Sequence, residues 1–274
     1  MSIKLIAIDL DSTLLNSKKR ISQENIKAIK KAMDLGIKVT ISTGRMFCSA
    51  LPYAKELSLE LPIVVYNGAL VKNSTSNKIV YQCFLAKEIA IEVMKFAFDR
   101  GIYAQTYIDD KLLIRKREDI SDYYAKIANV KYSEIGDDLF NLKKNPHEVL
   151  ILTETEDENF NKLFIEDLKE KFGNSIHVTF SAKGFIEVMN PSTNKWEAIK
   201  YLAQCNEIEE NEIMCIGDGD NDYEMIEKSK YGVAMSNAHE KVKKVANFIT
   251  ESNDNSGVAL IINRIIDGKL CWRV

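Results

Sequence analysis

The chain has 274 residues, enough for a large core and one or two domains, and its 46% hydrophobic and 28% charged content suits an ordinary globular protein. A formal charge of −3 gives no bias towards nucleic acid or an anionic membrane, and no apolar run reaches the ~20 residues that cross a bilayer. Cys48, Cys83, Cys205, Cys215 and Cys271 contain no CxxC pair, and His147, His177 and His239 lack ligand spacing. This argues against a disulfide framework or structural zinc. With a strand beginning within three residues of the amino terminus, no room is left for a signal peptide, and a reducing cytoplasm is the expected location.

The first apolar run, residues 5–8, is short and β-branched, which predicts a buried strand. It stops at Asp9-Leu10-Asp11-Ser12-Thr13. Carboxylates at the carboxyl end of such a strand lie where open parallel sheets place their ligand crevice. Spaced i and i+2 on extended chain, Asp9 and Asp11 would share a face and repel without a cation. From this segment alone, a capping loop and a catalytic or metal-binding pair both remain open. Ser22 is a plausible N-cap for a helix carrying Ile26, Ile29, Met33 and Leu35, ended by Gly36. A strand over 37–41 leads into Ser42-Thr43-Gly44-Arg45 and a helix to about Leu57. A third strand over 62–66 ends in an Asn67-Gly68 turn. This alternation predicts a doubly wound parallel α/β sheet.

The rhythm then changes. A helix over 86–100, two short strands about Asp109-Asp110, and a helix near 121–128 are followed by a strand over 147–152 and a helix over 157–172. Strands over 176–180 and 185–189 form a hairpin about Lys183-Gly184. Paired strands interleaved with helices suggest an α+β module with an antiparallel sheet. The α/β pattern returns with a helix over 196–204, a strand over 213–216, a helix over 223–228, a strand over 232–234 and a last helix over 257–266. The expected architecture is a Rossmann-like doubly wound core in two parts, residues 1–84 and 190–274, interrupted by an inserted α+β cap domain over 85–189.

A second acidic segment, Cys215-Ile216-Gly217-Asp218-Gly219-Asp220-Asn221-Asp222, also follows an apolar strand and opens a helix. A glycine-aspartate turn with a helix cap would account for it in isolation. Placed at the same sheet edge as the first cluster, however, Asp9, Asp11, Asp218 and Asp222 would crowd four carboxylates into one crevice. Like charges about 4 Å apart repel by roughly 4 kcal/mol at an effective dielectric near 20. Such a cluster must protonate or hold a cation. Oxygen-only ligands select a hard ion, and beside phosphate the usual one is Mg²⁺. Ser42-Thr43-Gly44 ends a strand before a helix, so its hydroxyls and amides can face an anion, although a plain N-cap would use them too. Lys195 precedes the helix that re-enters the core; a lysine there is commonly solvated, but the cluster otherwise lacks a protein cation.

Taken in order, DLDST, STGR, a lysine before a helix and GDGDND resemble the four motifs of the haloacid dehalogenase-like (HAD) superfamily. The insertion is similar to the large cap of its Cof-type sugar-phosphatase branch, and the core tail segments 232–238 and 252–258 are similar to that branch as well. The resemblance spans essentially the whole chain. It implies that Asp9 is the nucleophile that becomes an aspartyl phosphate, and that Asp11 is the acid for the leaving alcohol and then the base for water. It implies phosphate binding by Thr43 (less readily Ser42), the Gly44 amide and Lys195, with Asn221 in support. The metal set implied is Asp9, Asp218 and the Asp11 main-chain carbonyl, with Asp222 supporting the ion or the lysine. Substrate-contact candidates are Asn67 and Gly68 in the core and Lys183 and Glu187 in the cap, which in such enzymes closes over the crevice. Ser12 stands where most Cof-type members carry glycine, and Trp196 follows the motif lysine where glycine is common.

The expected activity is a Mg²⁺-dependent phosphomonoesterase acting on small phosphorylated metabolites, with sugar phosphates foremost and no nucleic-acid or membrane partner. A phosphotransferase or mutase on the same fold is the alternative within the enzyme class. A phosphoaspartate signalling or binding module without turnover is the rival outside it. Receiver modules, however, lack a second carboxylate two residues beyond the nucleophile and carry no large cap. Neither the natural ester nor monomer versus homo-oligomer is legible in the chain.

Overall fold

The computed structural model describes residues 3–153, 157–182 and 184–269. Its elements begin with β1 (Leu5–Ile8), α1 (Gln23–Asp34), β2 (Lys38–Ile41), α2 (Phe47–Glu56), β3 (Ile63–Val65), β4 (Leu70–Lys72) and β5 (Ile79–Gln82). They continue with α3 (Lys87–Phe98), β6 (Tyr103–Ile108), β7 (Lys111–Ile114), α4 (Asp119–Ala128), β8 (Tyr132–Glu134), β9 (Glu148–Leu152), α5 (Glu158–Phe172), β10 (His177–Ala182) and β11 (Phe185–Met189). The chain closes with α6 (Lys195–Gln204), β12 (Ile213–Gly217), α7 (Tyr223–Lys228), β13 (Tyr231–Ala234), α8 (Glu240–Val245), β14 (Phe248–Ile249) and α9 (Gly257–Ile266). No helix among the described residues is long and apolar enough to cross a membrane.

The chain divides into two compact units. The first comprises Met1–Gly44, Ala50–Tyr81 and Asn194–Val274, and its sheet is parallel throughout, in the order β14-β13-β12-β1-β2. Its central strands, Leu5-Ile6-Ala7-Ile8 and Ile213-Met214-Cys215-Ile216-Gly217, are buried at every position. Central parallel strands are covered on both faces, which accounts for their continuous apolar runs. From β1 the chain winds outward to β2, and from β12 it winds the other way to β13 and β14. The strand order therefore reverses between β1 and β12, and the crevice beyond their carboxyl ends is the usual ligand site of such a sheet. Ser22 caps α1, its side chain accepting from the Asn25 amide.

One expectation is corrected. The strand read over 62–66 is not a full member of the parallel sheet. It meets β2 through a single bridge, Ser42 to Val64, and its ladder is antiparallel with β4, in a separate sheet of order β3-β4-β5. The cause is local: Tyr66, Asn67 and Gly68 all have positive φ, at 50°, 51° and 99°, and this tight turn folds the chain straight back on itself.

The second unit comprises Arg45–Ser49 and Gln82–Thr193. Arg45–Ser49 joins it through a hydrogen bond from the Cys48 amide to Asp110 Oδ2 (3.0 Å) and one from Ser49 Oγ to the Ala128 carbonyl (2.6 Å). Its sheet runs β10-β11-β9-β6-β7-β8, antiparallel except for the parallel β7–β8 pair, so the expected antiparallel sheet is mixed at one edge. Alternate residues of β9 and β11, Val149, Ile151, Ile186 and Val188, join Val93, Ala97, Phe164 and Leu168 of α3 and α5 in an apolar core. The alternate positions of β6 carry a polar row instead: Tyr103 Oη donates to Gln105, Gln105 to Tyr107, and Tyr107 to Tyr124, at 3.1, 3.0 and 2.8 Å.

Candidate active site

The first unit brings the two acidic segments together. Asp9 follows β1 and Asp218 follows β12, whose residues pair one to one from Leu5 with Ile213 to Ile8 with Ile216. The ladder runs on past the strands, the Asp9 amide donating to the Ile216 carbonyl at 2.9 Å. On the other side the Ser42 amide donates to the Ile8 carbonyl at 2.9 Å, so the Ser42-Thr43-Gly44 segment also leaves the sheet at this edge.

Lys195 links the clusters. It opens α6 behind an Asn194 cap, whose side chain accepts from the Glu197 amide, and its side chain is fully buried. Nζ lies 2.6 Å from Asp9 Oδ1 and 2.5 Å from Asp222 Oδ1. The remaining Asp222 oxygen, Oδ2, accepts from the Asp218 and Gly219 amides at 2.9 Å each, closing the loop on itself. A Cβ at Gly217 would lie 2.6 Å from Asp222 Cγ, so glycine is what admits that carboxylate beneath the loop. Thr13 Oγ1 donates to Asp218 Oδ1 at 2.5 Å, a contact not anticipated from the sequence, since threonine at that spacing carries no pattern of its own.

Charge is unbalanced here. Burial, then the neighbouring Asp222 carboxylate, raise the Asp9 pKa well above its ordinary value despite the ammonium beside it. Burial and Asp222 likewise push Asp218 up to about 7. Lys195 is itself desolvated, which works against its charge, but Asp222 and Asp9 outweigh this and hold it protonated. Among the described residues one ammonium, that of Lys195, thus stands against three carboxylates and touches two of them, Asp9 and Asp222. Oxygen atoms of Asp9, Asp218 and Asp222 can lie within 4.8 Å of one another, which suits a small, hard cation. Such a cation would relieve the two raised acids, so the donor set fits a divalent ion.

Asp11 lies apart from that carboxylate group: its side chain is partly exposed and pairs with Lys19 Nζ at 2.9 Å. It sits in a wide turn, Leu10–Leu14, with Ser12 in left-handed conformation (φ 58°, ψ 6°). The glycine expected at this position would adopt that geometry freely, whereas serine holds it at a cost of roughly 1 kcal/mol. Thr43 is buried, its amide donating to the Val64 carbonyl at 2.9 Å. Ser42 Oγ is buried without a hydrogen-bond partner.

The turn after β3 supports the site from below. Asn67 Oδ1 accepts from Asn221 Nδ2 at 2.9 Å, and both side chains are buried. A Cβ on Gly68 would strike the Asn194 carbonyl, so Gly68 lets this turn approach the start of α6 and thereby seats Lys195. Gly68→Ala, which also forces alanine to φ 99°, is expected to destabilise the protein by about 2–4 kcal/mol, read from urea unfolding. A change below about 0.5 kcal/mol would remove the packing role. Of the other substrate candidates, Glu187 is buried on β11 of the second unit and Lys183 lies outside the described residues. Trp196 is buried in α6.

A description of the haloacid dehalogenase-like hydrolases matches residues 6–262. The 5-amino-6-(5-phospho-D-ribitylamino)uracil phosphatase YwtE of Bacillus subtilis (strain 168) is 32% identical over 97% of this chain and 99% of its own. A haloacid dehalogenase-like hydrolase from Bacteroides thetaiotaomicron superposes with a TM-score of 0.84 at 30% identity, covering 96% of this chain and 99% of that one. An HAD/COF-like hydrolase from Plasmodium vivax shares the fold at 24% identity, with a TM-score of 0.87 over 98% and 97% of the two chains. With a buried aspartate–lysine–aspartate link at the point where its parallel sheet reverses, the chain belongs to the haloacid dehalogenase-like hydrolases and is a phosphatase of their Cof-type branch.

Proposed function

We propose that the protein is a Mg²⁺-dependent phosphomonoesterase of the cytoplasm, acting on small phosphorylated metabolites with sugar phosphates foremost. The observation that carries this is Lys195, fully buried and shared by Asp9 and Asp222 at 2.6 and 2.5 Å. Asp9 is the nucleophile: its carboxylate attacks phosphorus and the bond to the ester oxygen breaks, leaving an aspartyl phosphate. Asp11 gives its proton to that departing oxygen, then takes one from the water that hydrolyses the acyl phosphate. Proton transfer of this kind is worth typically ~10²–10⁴-fold. Thr43, the Gly44 amide and Lys195 hold the phosphoryl oxygens, and Asn221, fixed by Asn67, keeps the loop in place. Asp9, Asp218 and the Asp11 carbonyl would hold Mg²⁺, with Asp222 supporting it through the loop. The ion supplies positive charge that stabilises the transferring phosphoryl group.

The test is a screen of phosphorylated metabolites, scored by inorganic phosphate release and kcat/KM with and without Mg²⁺. Turnover is expected with Mg²⁺, loss in EDTA, and recovery on adding Mg²⁺ back. Hydrolysis that persists undiminished in EDTA would defeat the metal assignment.

Stability should report the same ion. Asp218 has its folded pKa raised from the ordinary 3.8 to about 7, and Asp9 shifts in the same direction. A raised carboxyl pKa means the folded state binds the proton more tightly than the unfolded chain. That contribution is complete below about pH 4 and is lost as pH climbs through about 7. Metal-free protein is therefore expected to lose of order 2 kcal/mol between pH 5 and 8, allowing for screening at the partly open Asp218. Mg²⁺ should raise Tm at pH 8 and much less at pH 5, where protons occupy the same oxygens. Equal shifts at both pH values would count against these carboxylates as its ligands.

A further inference from the structure

The tail segments that resemble the Cof branch, 232–238 and 252–258, contribute none of the reacting groups assigned above. They hold the turn that carries Asp11. Asn237 Nδ2 donates to the Ser12 carbonyl at 2.8 Å. Asn253 Nδ2 donates to the Leu15 carbonyl at 2.9 Å, and the Asn253 amide donates to Asn237 Oδ1 at 3.1 Å. That last bond fixes which way the Asn237 side-chain amide points, because its oxygen must face Asn253 and its nitrogen Ser12. Asp254 Oδ1 accepts from the Ser17 amide at 2.8 Å, tying down the loop whose Lys19 pairs with Asp11.

Three of these contacts bridge more than 200 residues of sequence, and they converge on a turn whose Leu10, Thr13, Leu14 and Leu15 are buried while Asp11 and Ser12 face outward without that packing. Ser12, the residue after Asp11, is held in a left-handed conformation that a non-glycine residue rarely adopts. A strained turn persists only where its surroundings over-determine it, and here Asn237 grips the carbonyl of the strained residue itself. Released, Ser12 would relax towards ordinary backbone angles and swing the preceding Asp11 carboxylate out of line. Asn237 and Ser12 are both exposed, so water would replace the lost bond and global stability would change little.

We infer that Asn237, locked by Asn253, is a positioning residue for Asp11, serving proton transfer to the leaving group rather than attack on phosphorus. The inference rests on the acid role proposed above for Asp11.

The test is the dependence of kcat/KM on leaving-group basicity, measured with p-nitrophenyl phosphate and phenyl phosphate for the parent, Asn237→Ala, Asp11→Asn and the double variant. A group needed only for proton transfer matters little to a good leaving group and much to a poor one. Asn237→Ala is expected to lose no more than ~3-fold on the nitrophenyl ester and ~10-fold or more on the phenyl ester. In the Asp11→Asn background the same substitution should cost less than ~2-fold on either ester, because residues acting as a unit are not additive. Asn253→Ala should shift the ratio in the same direction, and both single variants should keep Tm within a few degrees. Equal losses on both esters, or an undiminished Asn237→Ala effect without Asp11, would overturn the inference. If Asp11→Asn itself leaves the leaving-group dependence unchanged, the acid role falls, and the positioning role with it.

Discussion

Asp9→Asn is expected to reduce phosphate release by at least ~10³-fold while leaving the protein folded, since removing a nucleophile costs more than removing an electrostatic helper. The charge balance makes this a clean experiment. Among the described residues Asp9, Asp218 and Asp222 face a single ammonium, that of Lys195, and burial together with Asp222 already holds Asp9 well above the usual carboxylate range. A neutral amide of the same shape takes one like charge out of the crevice and still accepts from Lys195, which keeps Asp222 as its partner at 2.5 Å. Tm should therefore hold or rise slightly, and inactivity cannot be assigned to unfolding. Trapping with radiolabelled phosphate ester should label the parent on quenching in acid and leave the variant unlabelled. Full activity in Asp9→Asn would remove the proposed nucleophile outright.

Lys195→Met should have the opposite character, a loss of both stability and activity. The side chain is fully buried between two carboxylates, so methionine fills the volume but leaves those acids without their cation. Breaking a buried ion pair from one side destabilises by about 3–5 kcal/mol. The loss should appear in urea unfolding at pH 7.5 without metal and should shrink at pH 5, where Asp9 and Asp218 can protonate. Mg²⁺ should recover part of the stability by supplying positive charge, but not the turnover, because the phosphoryl group would still lack the lysine. If metal-free Lys195→Met at pH 7.5 were as stable as the parent, the lysine would not be the cation that the acidic cluster requires.

The substitutions differ because the same three groups stand in different relation to solvent and charge. Asparagine at position 9 removes a surplus charge, whereas methionine at 195 removes the only protein cation seen among these carboxylates in the described residues. Gly68→Ala, further from the chemistry, should act through the seat of α6 and reduce stability and activity together.

Much of the candidate site is legible in the sequence. The β-branched runs ending at Asp9 and Asp218 mark strand ends because side-chain burial and local backbone preference operate over a few residues, and a motif with its flanks is enough to show them. Lys195 was harder: a lysine before a helix is usually solvated, and nothing in its neighbours shows that its ammonium is buried. Thr13, Asn237 and Asn253 were invisible as partners of the acidic turns, since a hydrogen bond across 200 residues leaves no periodic trace. The strand over 62–66 was misplaced within the sheet for a similar reason. Three apolar residues suit either ladder, and the positive-φ turn at Tyr66–Gly68 selects the hairpin.

By itself, then, the sequence determined where strands end, that each acidic segment sits at such an end, and that oxygen ligands and a hydroxyl–glycine loop suit phosphate and a hard cation. Only the tertiary structure decided which ends meet. Pairing β1 with β12 joins Leu5 to Ile213, and closing so long a loop is repaid only when both strands are buried on two faces within one sheet. That closure places Lys195 between Asp9 and Asp222 and lays two distant asparagines over the turn that carries Asp11.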